Sequence, residues 1–434
     1  RWLDSHHGCV LNFDMGTGKT RTAIEWLNLR QFESILIVCP KSIISIWQQE
    51  IEKYGSQQLQ DQCVFIFKGN QTQKAKMIEP GKCCVVNYET VWRTKVGKKC
   101  EDIAWDVLIC DEVHKIKSAS SKQSRFMSAL RNRYNPKHVR AIGLTGTMLS
   151  DKLLDVFGTA RFVDPGLFGM SWYDFKYRFG IWGGIENHQL MSYKNTSELK
   201  DTIEEFTITV KASEVLEDLP EQTHQQISVS LSSEALKIYN QLKNDSISLT
   251  EFGAVTAANI LTQLMRFSQI TSGFVKTESG NEENIDTAKQ SALSELLSSI
   301  ADDEPVVVFC RFLHDIATVA KTAEHLGRQT IIRTGKTNGV DLWRAMSGGE
   351  VLACQIGAGI GIDLTRSRYA IYYSMGYSLA EFQQSQARLY RAGAKRDVHY
   401  YYLLAKNTID NVVFKSLEQK RINIEEMFTN VINS

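Results

Sequence analysis

The sequence predicts an α/β protein built on two doubly wound parallel sheets. Short apolar runs alternate with helical stretches over the first 165 residues, and the same alternation returns after residue 300. Between these two regions the alternation is absent, and the sequence is rich in aromatic residues and in helix-forming stretches. Short apolar runs are typical of parallel strands covered on both faces. We therefore expect an N-terminal unit at 1–165, a linking and accessory helical region at 166–300 and a C-terminal unit at 301–434.

The strands of the first unit are predicted by five apolar runs. These runs are residues 35–39, 63–67, 83–86, 107–110 and 141–144. Residues 43–54 place apolar side chains at helical spacing, which predicts a crossover helix between two of the strands. A strand, helix and strand in succession indicate parallel pairing.

The second unit is predicted in the same way from later runs. These are residues 306–310, 330–332, 351–354, 370–373 and 398–404. Just before this unit, residues 277–284 read TESGNEEN. Such a polar stretch predicts a mobile surface loop.

Composition limits the class of protein. Fifty basic and 49 acidic residues nearly cancel, so contact with nucleic acid would depend on local patches. The nine cysteines include no C-x-x-C pair, which argues against a zinc ribbon and a disulfide framework. Neither a long apolar run nor a signal leader is present, so we expect no membrane span and a cytoplasmic location, such as the nucleoid or a host cytoplasm.

Residues 13–20, FDMGTGKT, form a candidate phosphate-binding loop in which Phe13 stands where a glycine is usual. An apolar stretch precedes them and a helical stretch follows, as the motif requires. Lys19 would reach the β- and γ-phosphates, and the Thr20 hydroxyl would bind magnesium. The alternative is a glycine turn that caps a helix. The residues assigned to the nucleotide here are Met15, Gly16, Thr17, Gly18, Lys19 and Thr20.

Two carboxylates, Asp111 and Glu112, directly follow the apolar run 107–110. The carboxyl end of a buried strand is where open α/β sheets bind ligands. Asp111 is therefore the candidate magnesium ligand, and Glu112 would orient and polarise the attacking water. Taken alone, such a pair more often begins a solvated loop.

The stretch QQSQARLYRAG, residues 383–393, contains Gln384, Arg388 and Arg391 at positions i, i+4 and i+7. On a helix these three side chains would share one face. Two arginines directed at a γ-phosphate would act as arginine fingers. The alternative is a solvated basic stripe.

Together, the motifs and their order resemble the superfamily-two helicases, and specifically the Swi/Snf-type branch of DNA translocases. The likeness covers nearly the whole chain. Beyond the motifs quoted above, it rests on LIVCPKSIISIWQQEIEKY (36–54), VVNYET (85–90), DEVHKIKS (111–118), LTGTM (144–148) and GAGIGIDL (357–364). Met148 stands where the family has proline.

The resemblance implies two RecA-like lobes in a compact bacterial or bacteriophage-like member of the branch. It implies an ATP- and Mg2+-dependent ATP hydrolase that moves on single-stranded, duplex or forked DNA, with ATP bound between the lobes. Replication or recombination structures are the expected substrates. A translocase that displaces bound proteins without separating strands and an RNA helicase remain alternatives.

The resemblance also implies roles for particular residues. Lys19, Asp111, Glu112, Gln384, Arg388 and Arg391 would be catalytic, and Gly361 and Asp363 would join the nucleotide contacts. The motif that contains Trp47 would touch the DNA backbone, and His114 would link the ATP site to the DNA side. The residues assigned to nucleic acid are Pro40, Lys41, Tyr88, Lys115, Lys117, Thr145, Gly146 and Gly357.

Two further features leave alternatives open. The basic stretches 93–99 and 115–122 could contact phosphates or be ordinary solvated lysines and arginines. The aromatic segment 168–182 could stack on bases or form the core of a small helical subdomain.

Overall fold

The computed structural model describes residues 2–133, 139–146, 153–184, 189–215, 220–251, 257–277, 280–358, 362–390 and 396–419. The chain divides into two compact units, residues 1–217 and 218–434. The division falls inside the region predicted to be accessory, so each unit contains part of that region. The boundaries placed at residues 165 and 300 stay predictions.

The first unit contains a seven-stranded sheet in the order β3-β4-β2-β5-β6-β1-β9. Every neighbouring pair in it is parallel. The strands of the unit are β1 (Gly8–Phe13), β2 (Ile35–Cys39), β3 (Cys63–Ile66), β4 (Cys83–Asn87), β5 (Val107–Asp111), β6 (Arg140–Thr145), β7 (Gly180–Gly183), β8 (Gln189–Tyr193) and β9 (Thr207–Val210). The α/β prediction is confirmed, and β9 is the strand of this sheet that the apolar pattern did not indicate.

Helices of the first unit connect these strands. They are α1 (Trp2–Ser5), α2 (Lys19–Arg30), α3 (Ile44–Tyr54), α4 (Gln57–Gln62), α5 (Gln71–Lys76), α6 (Tyr88–Val91), α7 (Thr94–Glu101), α8 (Lys122–Arg133), α9 (Val156–Val163), α10 (Trp172–Phe179), α11 (Thr196–Phe206) and α12 (Ala212–Val215). The described part of the unit also contains 3-10 helices at Lys41–Ile43, Val113–Ile116 and Leu153–Asp155.

The second unit contains a six-stranded parallel sheet in the order β10-β17-β16-β13-β15-β14. Its strands are β10 (Gln222–Val229), β11 (Phe274–Lys276), β12 (Glu282–Asn284), β13 (Val306–Cys310), β14 (Thr330–Arg333), β15 (Val351–Gln355), β16 (Tyr369–Tyr372) and β17 (Val398–Ala405). Its helices are α13 (Ser233–Glu251), α14 (Ala257–Thr271), α15 (Ala288–Ser299), α16 (Leu313–His325), α17 (Val340–Ala345), α18 (Leu379–Gln386) and α19 (Ile409–Glu418), with a 3-10 helix at Ile356–Ala358. The predicted second α/β unit is therefore present.

A close backbone contact supports the turn that follows β5. Gly158 of α9 lies against the carbonyl groups of Ile116 and Lys117. A methyl group built on Gly158 would approach these oxygens to 2.2 and 2.4 Å, well inside van der Waals contact. Glycine thus lets α9 pack directly on the segment that follows the two carboxylates.

The aromatic segment 168–182 forms a small core. Phe175 and Phe179 are buried, and their rings contact each other and Phe168. Tyr173 and Trp172 stay exposed, at 64% and 38%. The structure thus supports the subdomain-core interpretation for the buried rings.

The polar stretch 277–284 is not simply a loop. Its end forms β12, which pairs antiparallel with β11. The prediction of a mobile loop was wrong for β12, because backbone pairing with a more apolar strand stabilises even the sequence Glu-Glu-Asn.

All nine cysteines are free thiols, and eight of them are buried, as expected for reduced core residues. None of the helices in the described part of the chain combines the length and apolarity needed to cross a bilayer.

Candidate nucleotide and nucleic-acid site

The predicted phosphate loop connects β1 to α2. Gly16 and Gly18 have φ angles of 82° and 91°, in the left-handed region that favours glycine. Gly18 caps α2, which starts at Lys19. The Thr17 hydroxyl donates to the Asp14 carbonyl at 2.7 Å and braces the turn. The first N–H groups of α2 have no partner within the helix, so this strand, loop and helix can receive an anion.

The two carboxylates lie at the carboxyl edge of the sheet. Asp111 ends β5 and is 2% exposed, and Glu112 is 3% exposed. Glu112 has a φ angle of 53°, a backbone conformation that residues other than glycine rarely adopt. Burial, and then the neighbouring Glu112 charge, raise the pKa of Asp111, although the positive charge of Lys19 opposes this shift. Backbone strain and buried charge of this kind are typical of functional sites.

Three groups hold Asp111 in place. The indole N–H of Trp47 donates to Asp111 Oδ2 at 2.9 Å, and the Glu112 backbone N–H donates to Oδ1 at 2.9 Å. The Tyr88 hydroxyl donates to the Asp111 backbone carbonyl at 2.8 Å. The resemblance placed Trp47 in a motif that touches DNA, and nothing in the sequence indicates its hydrogen bond to Asp111. The helical spacing of Trp47 with the other apolar residues of α3 indicates only that its side chain is buried.

His114 lies beside the predicted water-orienting residue. Its Nδ1 is 3.4 Å from Glu112 Oε2, and its side chain is mostly buried. The two side chains are within ion-pair distance when the imidazole is protonated. The linking role of His114 stays a prediction.

The end of β6 meets the phosphate loop. In the sheet, Thr145 is in register with Asn12 of β1. A methyl group built on Gly146 would lie 3.4 Å from Met15 Cγ and 3.8 Å from Lys19 Nζ. The first unit thus brings Met15, Lys19 and Gly146 together, and Lys19 is close enough to Asp111 to affect its pKa.

The residues assigned to nucleic acid divide by exposure. Lys41 and Lys115 are exposed, whereas Lys117 is half-buried and forms an ion pair with Asp155 at 2.9 Å. Their contact with nucleic acid stays a prediction.

Three other side chains of that set are buried: Pro40, Tyr88 and Thr145. These three side chains therefore pack inside the edge of the sheet, and their assignment to nucleic acid stays a prediction. Gly146 lies next to Met15 and Lys19 of the phosphate loop, and its assignment to nucleic acid also stays a prediction.

In the second unit, the structure brings Asp363 and Arg388 into one region. Asp363 Oδ1 accepts hydrogen bonds from the backbone and the hydroxyl of Thr365, at 2.9 and 2.7 Å. The next backbone N–H, that of Leu364, donates to the Arg388 carbonyl at 3.0 Å. Gly357 is exposed and lies next to Glu381 of α18.

The helix expected to carry Gln384 and Arg388 on one face ends before it reaches Arg388. Helix α18 ends at Gln386, so the buried Gln384 lies on the helix and Arg388 lies in the turn that follows. Arg391 and Gly361 lie outside the described residues. The chain turns because the carbonyl of Gln386 accepts from the N–H groups of Leu389 and Tyr390.

The chemistry of the residues fits magnesium. Mg2+ prefers oxygen ligands, often one or two carboxylates together with substrate phosphates. The Thr20 hydroxyl and the Asp111 carboxylate would hold it, since each Asp111 oxygen has a lone pair beyond its hydrogen bond. Over the described ranges, no cluster of three or more His, Cys, Asp and Glu side chains could hold a metal ion by itself.

Comparison with known proteins places the chain in a family. A model of the SNF2-related domain matches residues 1–273, which is more than half of the chain. The chain belongs to the SNF2-related family. The resemblance to the Swi/Snf-type branch of the superfamily-two helicases is thereby confirmed.

This SNF2-related chain is also similar to individual proteins. It is 24% identical to an uncharacterized ATP-dependent helicase of Mycoplasma genitalium, over all of the chain and 42% of that protein. It is 24% identical to the chromodomain-helicase-DNA-binding protein 1-like of Mus musculus, over 95% of the chain and 47% of that protein. The chain thus spans less than half the length of these relatives. Among solved structures, the SWI2/SNF2 ATPase core of Sulfolobus solfataricus in complex with dsDNA is 20% identical, with a TM-score of 0.43 and coverage of 100% of this chain and 90% of that one.

Proposed function

We propose that this chain is an ATP- and magnesium-dependent motor that moves along DNA and acts on forks or branched DNA. The observation that carries the proposal is the shared position of Lys19, Asp111 and Glu112 at the carboxyl edge of one parallel sheet. Membership of the SNF2-related family and the names of its relatives, which include ATP-dependent helicases, support it. Such a motor would work where DNA lies, in the cytoplasm or nucleoid.

In this proposal the first unit supplies most of the chemistry. Lys19 neutralises the phosphates of ATP, and Glu112 orients and polarises the water that attacks the γ-phosphorus. Bound magnesium would supply charge neutralisation on the phosphate oxygens through its contacts with Thr20 and Asp111. Phosphoryl transfer asks a protein mainly for this positioning and charge stabilisation.

The second unit would supply positive charge to the same reaction. Arg388 and Arg391 are proposed as arginine fingers on the strength of their motif. Hydrolysis would then alternate the grip of the two units on DNA, as a two-state change driven by ligand binding. Lys41 and Lys115, which are exposed cations, are the proposed phosphate contacts of the first unit.

Movement along DNA can be tested by displacement of a third strand from a triplex. The chain, with ATP and Mg2+, is expected to release a fluorescent third strand from duplex DNA and to open a forked duplex. The Glu112→Gln variant is expected to do neither. A triplex reports translocation without strand separation, whereas opening the fork also costs about 1.4 kcal/mol per base-pair step.

The possible outcomes separate the alternatives. Release of the third strand, or of streptavidin from biotinylated DNA, without fork opening would identify a translocase that displaces bound molecules. Activity on RNA duplexes alone would identify an RNA helicase. No ATP-dependent displacement on any of these substrates would contradict the proposal.

A further inference from the structure

Trp47 lies in the first unit where its indole can act on the nucleotide site. The side chain is fully buried, with an exposed fraction of 0%, and its N–H donates to Asp111 Oδ2 at 2.9 Å. The indole nitrogen can only donate a hydrogen bond, so Trp47 is the donor and the Asp111 carboxylate is the acceptor. The two residues are 64 positions apart, and no motif predicts the contact.

The bond determines the orientation of the carboxylate. Asp111 Oδ1 accepts from the Glu112 backbone N–H, so the two bonds together fix rotation of the carboxylate about its own axis. Each bond uses one lone pair of its oxygen and leaves another for a cation. Hydrogen bonds from neutral donors to a buried carboxylate are strong, because the charge is not hydrated.

A carboxylate that binds a metal needs such support. Partners that orient the ligands of a metal typically contribute about 10- to 100-fold to metal affinity or activity. Among the described side chains, Trp47 is the one seen to donate a hydrogen bond to the Asp111 carboxylate. Tyr88 reaches only the backbone carbonyl of Asp111.

We propose that Trp47 is a positioning residue that holds the Asp111 carboxylate in the orientation needed for magnesium. This inference rests on the proposed ATP hydrolysis, and it goes beyond the contact with DNA that the resemblance implies for the same motif. Trp47 does not touch the substrate. It acts through Asp111 alone.

The test replaces the donor and keeps an aromatic ring, with Trp47→Phe. The matched control is Trp105→Phe, since Trp105 is also buried and donates its indole N–H to a backbone carbonyl, that of Cys100 at 2.9 Å. We expect Trp47→Phe to lower kcat by about 10- to 100-fold and to raise the Mg2+ concentration for half-maximal hydrolysis. Mg2+ should strengthen equilibrium binding of a fluorescent ATP analogue less in Trp47→Phe than in wild type, and the two affinities should match in EDTA. Trp105→Phe should behave as wild type in both assays.

Equal behaviour of Trp47→Phe and Trp105→Phe in both assays would overturn the proposal. If Trp47→Phe folds poorly, the same measurements are made with β-(3-benzothienyl)alanine at position 47, which keeps the bicyclic shape and puts sulfur in place of the N–H. Wild-type hydrolysis after this isosteric change would likewise overturn the proposal. The binding assay also separates the two claims. A smaller effect of Mg2+ on nucleotide binding in Trp47→Phe than in wild type would support positioning even if DNA failed to stimulate hydrolysis by the wild type.

Discussion

Replacement of Glu112 by glutamine is expected to lower kcat for ATP hydrolysis by about 10² to 10⁴. Glutamine keeps the size of the side chain and removes the charge that polarises the attacking water. The turn itself should survive, because glutamine has the same size and branching as the glutamate that already adopts this left-handed backbone, with a φ angle of 53°. Steady-state phosphate release measures kcat, and equilibrium binding of a fluorescent ATP analogue should give an affinity close to that of wild type.

The matched control for this change is Glu52→Gln. Glu52 is an exposed residue of α3 that accepts a hydrogen bond from Gln48 in the same helix. Its replacement should leave kcat unchanged. A Glu112→Gln variant that hydrolyses ATP as fast as Glu52→Gln would show that Glu112 has no part in activating water.

Replacement of Lys19 by alanine is expected to weaken ATP binding and to lower kcat by about 10² to 10³. The ammonium group lies near Gly146 and Asp111, at the start of α2, where phosphates would meet the helix N-terminus. Its removal also takes away the positive charge that opposes the raised pKa of Asp111. Titration with a fluorescent ATP analogue and phosphate release measure the two effects separately.

Lys53→Ala serves as the control, because Lys53 is an exposed residue of α3 that lies over the Tyr54 ring. It should bind and hydrolyse ATP as wild type does. Unchanged ATP affinity in Lys19→Ala would mean that the glycine loop caps α2 without holding phosphate, which is the alternative that the sequence left open.

The buried strands could be predicted because their signal is local. Residues 35–39 and 306–310 are entirely apolar and become central strands, covered on both faces. In contrast, β10 reads QTHQQISV and is mostly exposed. Backbone pairing with β17 at the edge of the second sheet holds it, and this pairing joins residues more than 170 positions apart. A single sequence does not indicate which distant strand β10 pairs with.

The sequence predicts the residues of the candidate site, but it does not predict the hydrogen bonds that hold them in place. Short motifs with a known chemical role predict the glycines of the phosphate loop, Lys19, Asp111 and Glu112. The bonds of Trp47 and Tyr88 to Asp111 depend instead on the order of the strands, which brings α3, α6 and β5 together. The prediction that Gln384 and Arg388 lie on one helix was wrong, because α18 ends at Gln386 in a local turn that residue spacing alone does not reveal.

The measurement that tests the central claim most directly is steady-state ATP hydrolysis by the wild type and Glu112→Gln, without nucleic acid and with single-stranded DNA, duplex DNA, forked DNA or RNA. The proposed motor should hydrolyse ATP much faster with at least one form of DNA than without nucleic acid, and Glu112→Gln should abolish that rate. Equal wild-type rates with and without every nucleic acid would contradict the account and leave a nucleotide-binding protein that does not use DNA.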